Sequence, residues 1–312
     1  MLHSFTSDEF LTFAKDRNES VINQGILELD NERAFPYFIV FRTNPMFPDG
    51  ANFIITPICF SGPEVLKNDD LEKIRHAFAD YELAGGFLQS REVDSDKALF
   101  KENPLWFCYS DSRTNFRIPL GLADEDLTVR MKRDSRTRTR KLIKQNSHYK
   151  LIKAGSNKND EIREFAEMYD QIADRTNFPA HYRFSERKWC ELLENPEWNL
   201  YLLEYNDQLI SGSIIANLGE GFDYTFMGYR PEYMDASRAN VYFLYRYLSE
   251  KKPKGYIDLG GGILESDSLE SFKSGMGADR TSFKRLRFIF KSGLKGYVDE
   301  TDIFTALTTR WP

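Results

Sequence analysis

Metal-binding and disulfide-forming residues are scarce in this 312-residue chain. Its three cysteines, Cys59, Cys108 and Cys190, and its four histidines, His3, His76, His148 and His181, are scattered. A structural zinc site needs about four Cys or His ligands at short paired spacings. No such spacing occurs, so no metal is expected. A disulfide framework is excluded on the same count, and a reducing, cytoplasmic setting is expected. No run of about 18 apolar residues exists to cross a bilayer as a helix. The opening MLHSFTSDEF has no basic stretch followed by an apolar core, so no signal peptide is expected. Surplus positive charge is missing too: 42 Lys and Arg stand against 48 Asp and Glu, a net charge of −6. That balance argues against a general nucleic-acid binder but leaves room for a local basic patch. Low-complexity linkers, short-period repeats and blocks of like charge are also absent.

What is abundant is aromatic: 25 Phe and 16 Tyr bring Phe, Trp and Tyr to 14% of the chain. Packing in a strand-rich core and grooves for an extended ligand both suit that composition. The first thirty residues read as helix around Phe5, Phe10, Leu11 and Phe13. Short apolar runs at Tyr37–Phe41 and Phe53–Phe60 read as strands flanking a turn at Pro45–Gly50. Asp69–Tyr81 carries Leu71, Ile74, Phe78 and Tyr81 on one helical face. Strands are expected at Gly86–Gln89, Leu105–Tyr109 and Phe116–Leu120, and one long helix at Asp124–Gln145. Beyond a strand at Tyr149–Lys153 come helices at Asp160–Asp174 and Ser185–Leu193.

Three strands then follow, Leu200–Tyr205, Gln208–Ala216 and Phe222–Tyr229, joined by hairpin turns at Asn206-Asp207 and Gly219-Glu220-Gly221. A helix at Ser237–Lys251, a strand at Gly255–Leu259, a helix at Asp267–Met276, a strand at Phe283–Phe290 and a terminal helix at Glu300–Thr309 complete the order. Both halves contain helices and a mixed sheet. The expected architecture is therefore a two-lobed α/β protein, with lobes 1–154 and 155–312 and a seam at Ala154–Asn159.

The strongest local pattern runs from Asp258 to Lys273. Gly260, Gly261 and Gly262 close a strand, where bare backbone can approach a ligand and adopt positive φ. Asp267 or Ser268 can cap the next helix. On it Leu269, Phe272 and Lys273 stand at i, i+3 and i+4 and share a face. A lysine beside exposed backbone at a helix start suits developing negative charge. Glycine-rich strand ends and solvated helix lysines are both common, so spacing alone leaves a structural reading open.

A second pattern is basic. Arg130, Lys132, Arg133, Arg136, Arg138, Arg140, Lys141 and Lys144 fall within fifteen positions, interrupted only by Asp134. Arg133, Arg136, Arg140 and Lys144 form one helical stripe. It suits a phosphate-rich partner such as a tRNA, coenzyme A or a nucleotide-linked sugar; a solvated helix face is the alternative.

The run LGGG…DSLESFKSGMG, followed by SFKRLRFIF, resembles the C-terminal signature of the Fem group of peptidoglycan-bridge aminoacyl transferases within the GNAT acyltransferase superfamily. RMKRDSRTRTRKLIKQNS, EFAEMYDQIADRTNF and YLLEYNDQLISGSIIANLGEGFDYTFMGYRPEY extend the resemblance over roughly residues 115–292. It implies two tandem GNAT-like lobes with a cleft between them, the first lobe supplying acceptor specificity and the second catalysis. It implies an N-acyltransferase acting on an amine of a cell-envelope, polysaccharide or related precursor, small or nucleotide-linked. Acyl-CoA or aminoacyl-tRNA serves as co-substrate, no cofactor stays bound, and a lipid-linked acceptor allows peripheral membrane contact.

Residue by residue, the resemblance places catalysis on Lys273, as oxyanion stabiliser, and on Phe272. Substrate binding is expected from Arg175, Gly260, Gly261, Gly262, Asp267, Ser268 and Tyr224, and donor phosphate binding from Arg133, Arg136, Arg140 and Lys144. Tyr229–Asn240 lacks the glycines of the pyrophosphate turn usual in acetyl-CoA enzymes, a departure from the pattern. No general base is legible among Asp223, Tyr224, Glu82 and His181. A non-catalytic nucleotide-sugar or RNA binding module of the same fold is the alternative function.

Overall fold

The computed structural model of the chain describes residues 11, 14–15, 21–31, 33–44, 47–56, 65–67, 69–90, 92–93, 100–102, 105–121, 124–144, 148–155, 158–176, 178, 182–218, 221–233, 236–251, 254–261 and 268–294. The strands are β1 (Val21–Glu28), β2 (Ala34–Asn44), β3 (Phe47–Ile55), β4 (Val65–Leu66), β5 (Gly85–Ser90), β6 (Glu92–Val93), β7 (Phe100–Glu102), β8 (Trp106–Pro119), β9 (Tyr149–Lys153), β10 (Trp198–Tyr205), β11 (Gln208–Asn217), β12 (Phe222–Tyr229), β13 (Tyr256–Gly260) and β14 (Asp279–Phe290). The helices are α1 (Asp70–Ala77), α2 (Asp124–Arg130), α3 (Arg133–Ile143), α4 (Lys158–Arg175), α5 (Glu186–Leu192), α6 (Ala236–Lys251) and α7 (Ser268–Gly275).

A 12-stranded mixed sheet follows the order β1-β2-β3-β5-β14-β8-β13-β12-β11-β10-β9, with β7 paired to β8 off this path. One hydrogen-bonded order replaces the expected separate sheet in each lobe. β8 and β14 are its longest strands, at 14 and 12 residues. The chain divides into two compact units. The described part of unit 1 is 14–113 with 282–294; unit 2 is 114–281 together with Leu11. The segment Ala154–Asn159 lies within unit 2.

In unit 1, α1 lays Leu71, Ile74 and the adjoining Phe78 onto a core with Phe35, Tyr37 and Ile39 of β2, Leu88 of β5 and Leu286, Phe288 and Phe290 of β14. Alternate positions of β14 point into this core, which leaves Arg285 and Arg287 on the opposite face. Residues 21–28, expected as part of a helix, form β1. VINQGILE pairs antiparallel with β2 from Val21↔Val40 to Glu28↔Ala34, so cross-strand bonding overrides the local reading.

Unit 2 contains the β9–β13 strands with α2–α7. β10, β11 and β12 form an antiparallel meander. The first hairpin turn is set by positive φ at Asn206 (50°) and Asp207 (63°), as a two-residue turn of matching twist requires. β12 crosses over through α6 to pair parallel with β13. Tyr242, Phe243, Leu244 and Leu248 of α6 pack with Ile215, Tyr224, Ile257 and Leu259 of the strands. Leu127, Met131 and Leu142 around α2 and α3 and Met276 after α7 join the same core, with Phe272 packed against it. The long helix expected at Asp124–Gln145 is broken at Met131-Lys132, where the Lys132 amide turns away to donate to Gly275 O at 3.0 Å. Phe116–Pro119, in the stretch expected to be extended, is the end of β8. The expected helix at Glu300–Thr309 lies outside the described residues.

Candidate active site

The centre is built where β13 runs out into glycine. β13 pairs antiparallel with β8, Asp258 opposite Arg117, and the register shifts between Asp258 and Gly260. Asp258 is 2% exposed and accepts three hydrogen bonds: from Asn115 Nδ2 at 2.8 Å, Arg117 Nε at 2.9 Å and the Gly260 amide at 2.8 Å. The Arg117 guanidinium also lies 4.4 Å from the Tyr256 ring centroid. A buried carboxylate with three donors is well compensated, and the one it draws from Gly260 pins the turn. Gly260 has φ +70, a conformation that side-chain-bearing residues rarely adopt.

α7 brings Lys273 to this turn. The side chain is 8% exposed, and its Nζ donates to Gly261 O at 2.6 Å. A continuous chain of contacts therefore links β8, Asp258, Gly260, Gly261 and Lys273. The other end of α7 is equally constrained. Gly277 has φ +80, and a Cβ there would stand 2.6 Å from the Arg130 carbonyl carbon. Arg130 Nη2 pairs with Asp279 at 2.6 Å, and Glu270, buried on α7, lies 3.4 Å from Arg280. The face of α7 that carries Phe272 is held by core packing, so the helix has little freedom to turn.

The basic helix sits beside α7. The Lys132 amide bond to Gly275 O and the approach of Ser135 Oγ to Gly275 fix the start of α3 against the end of α7. Thr139 and Leu142 are buried, whereas Arg133, Arg140 and Lys144 are exposed. Arg136 is half-buried, its Nη1 3.5 Å from Val129 O. The stripe is therefore amphipathic, with three of its four cations facing solvent.

The β12–β13 ladder holds only two pairs, Phe222↔Ile257 and Asp223↔Asp258. From Thr225 onward β12 has no β13 partner among the described residues. The ladder thus stops just short of the glycine turn, where β13 ends at Gly260. Tyr224, expected to touch substrate, is 8% exposed and packs against Phe243 with centroids 6.0 Å apart. Its Oη is buried without a hydrogen bond, and burial raises its pKa. Ser213 lies close enough to oppose part of that shift, but its hydroxyl proton goes to Phe226 O at 2.6 Å. Asn240 Oδ1, on α6, is another buried acceptor without a partner.

Arg175 is exposed at the last position of α4. The carbonyls of that helix end are served by Arg183, whose Nη2 donates to Ala173 O at 3.1 Å and whose Nη1 pairs with Asp174. The turn after β12 is acidic: Arg230 is engaged by Glu164, by Glu167 at 3.6 Å and by Glu232 at 3.9 Å. Gly262 and Asp267 lie outside the described residues, as do the Ser268 side chain and His181. Asp223 is buried and accepts from Thr225 Oγ1 at 2.7 Å, and Glu82 is an exposed residue with φ 47°. Among the described residues no group of three or more His, Cys, Asp or Glu could hold a metal ion, and no helix is long and apolar enough to cross a membrane.

Local patterning missed Asn115, Arg117 and the role of Asp258. The pairing of Asp258 with Asn115 and Arg117 spans 143 and 141 residues. The only signal available was an acidic residue in an otherwise apolar strand of unit 2, YIDLG, and a basic one in the strand NFRIP.

No family model and no curated protein matches the sequence. Solved structures match the fold over almost the whole chain. FemX aligns with TM-score 0.59 at 12% identity, covering 90% of this chain and 91% of FemX. A conserved protein of unknown function from Bacteroides thetaiotaomicron gives 0.57 at 11%, covering 93% and 92%. L-PGS from Bacillus licheniformis gives 0.53 at 11%, covering 98% of both chains. The chain therefore has a fold similar to those of FemX and L-PGS.

Proposed function

We propose that this protein is an N-acyltransferase in which Lys273 stabilises the oxyanion formed when an amine attacks an activated acyl or aminoacyl carbonyl. The observation that carries this is a buried lysine held by Gly261 O at 2.6 Å, where β13 runs out into glycine. An extended donor lies along the end of β13 and brings its carbonyl to the glycine turn. The amine nitrogen bonds to the carbonyl carbon, the C=O electron pair moves onto oxygen, and Lys273 Nζ donates to that oxygen. Collapse restores the carbonyl, expels the alkoxide or thiolate leaving group, and the amine proton passes to the leaving group through water. Phe272 holds the helix on its core so that Lys273 is aimed at the turn. Gly260 and Gly261 admit the donor carbonyl, and Gly262, Asp267 and Ser268 are carried as substrate-binding residues on the resemblance alone.

Between donors, aminoacyl-tRNA is favoured. The turn after β12 surrounds Arg230 with three carboxylates, a poor place for a pyrophosphate. Arg133, Arg140 and Lys144 present exposed cations on the helix fixed to α7, where a phosphate backbone can lie. The FemX-like fold and the resemblance to Fem transferases support the same choice and suggest a cell-envelope or polysaccharide precursor as acceptor. Arg175, exposed at the end of α4, is available for an acceptor carboxylate or phosphate.

The test compares donors on the purified protein. Charged tRNA should shift the protein in a gel, with a steep salt dependence that flattens when Arg133, Arg136 and Arg140 are replaced by Gln. Acetyl-CoA should give no heat in calorimetry. Micromolar acetyl-CoA binding with no tRNA shift would overturn the donor assignment.

A further inference from the structure

Unit 1 contains a buried cation that its surroundings do not satisfy. Arg287 of β14 is 7% exposed, and neither its Nε nor its Nη1 has a hydrogen-bond partner. Its guanidinium lies 5.7 Å from the ring centroids of Phe87 and Tyr109. Phe87 is its cross-strand partner on β5, and Tyr109 belongs to β8. Asp111, also on β8, is committed to the neighbouring Arg285, which donates to it through Nε at 2.9 Å and through Nη2. Arg287 Nη1 stands 3.6 Å from the same carboxylate, within ion-pair range but beyond a hydrogen bond.

Two guanidinium groups thus share one carboxylate, and the Arg285, Arg287 and Asp111 side chains are 18%, 9% and 21% exposed. Burial and the charge of Arg285 both work against keeping Arg287 protonated, while Asp111 works for it. Leaving a buried cation with two orphaned donors costs free energy that the shared Asp111 carboxylate returns only in part. The aromatic walls soften that cost without supplying an acceptor.

We infer that Arg287, with Arg285 beside it and Phe87 and Tyr109 as walls, forms a binding subsite for an oxyanion, the carboxylate or phosphate group of a small ligand. Either bidentate edge of the guanidinium, Nε–Nη2 or Nη1–Nη2, contains one of the two orphaned donors. A two-oxygen acceptor docked on either edge satisfies one of them and supplies the missing negative charge. The subsite belongs wholly to unit 1, whereas Lys273 belongs to unit 2, and it does not depend on the acyltransferase assignment.

The test is calorimetric titration of the full chain with inorganic phosphate and, separately, with acetate, at ionic strength held constant with chloride. Wild type should bind one of the two. Phosphate preference assigns the subsite to a phosphate group and acetate preference to a carboxylate. Arg287→Met should weaken that binding roughly tenfold or more. Asp111→Asn should strengthen it, because the competing carboxylate is gone; this opposite sign keeps the test decisive even if the Arg287 variant folds poorly. Binding of neither anion, or equal binding by wild type and both variants, would overturn the inference.

Discussion

Replacing Asp258 with Asn keeps the shape of the side chain and removes its charge, which makes it a sharp probe of the glycine turn. In the native protein three donors converge on this carboxylate, at 2.8, 2.9 and 2.8 Å, in a site 2% exposed. An amide offers one acceptor oxygen and one NH2 donor. Whichever way it is turned, the NH2 faces the Gly260 amide or the pair Asn115 and Arg117, so at least one donor is left without an acceptor. The lost charge-assisted bond and the unpaired donor together cost about 2–4 kcal/mol. The Arg117 side chain is 24% exposed and recovers some hydration, which places the expectation at about 3 kcal/mol or below. Urea unfolding of the two proteins measures this directly. The orientation that keeps Asn115 and Arg117 bonded turns the NH2 toward Gly260 and releases its amide, so the Gly261 carbonyl no longer fixes Lys273, and kcat should fall with little change in KM. A stability loss under about 1 kcal/mol together with an unchanged kcat would refute the proposed coupling from Asp258 to Lys273.

Two further outcomes are expected. Gly277→Ala should destabilise the fold by about 2–3 kcal/mol, since φ +80 is strained for alanine and its Cβ would meet the Arg130 backbone at 2.6 Å; an unchanged thermal midpoint would remove that constraint. At alkaline pH the buried tyrosines become a liability. Burial raises the pKa of Tyr149 to about 12 and also raises those of Tyr201, Tyr224, Tyr242 and Tyr247, so the folded state holds protons that the unfolded state releases near pH 10. Stability should be intact below pH 10 and lost between about 10 and 12, with phenolate absorbance rising together with unfolding; a smooth phenolate titration near pH 10 with unchanged circular dichroism would contradict it.

Where the chain forms strong periodic patterns, the sequence alone was informative. The α4 face of Ile162, Phe165, Met168, Tyr169 and Ile172 is buried as its spacing indicates, and so are the β10–β12 meander and the α6 helix. The Lys273 turn was legible because its glycines and its helix lie within sixteen residues of chain, Asp258 to Lys273. Interactions that close over long separations were not. Asp258 is organised by residues on β8, and the break between α2 and α3 is dictated by Gly275 O, neither of which leaves a local trace. Val21–Glu28 was misread because its apolar residues suit either period until β2 is present to pair with it. The packing of Tyr224 into the α6 core likewise has no local trace. Arg285 and Arg287 did leave a signal, two arginines at i and i+2 flanking Leu286 in a strand, which places both on one face.

Lys273→Ala is the most direct test of the proposed chemistry. Wild type and variant would be incubated with a tRNA pool charged with radiolabelled amino acids and a panel of amino sugars and amino-terminated peptides, and label appearing in amide products would be timed. Oxyanion stabilisation by Lys273 predicts product with wild type and a rate about 10²–10³-fold lower in the variant, with thermal midpoints that stay close. Equal rates of amide formation by the two proteins would contradict it.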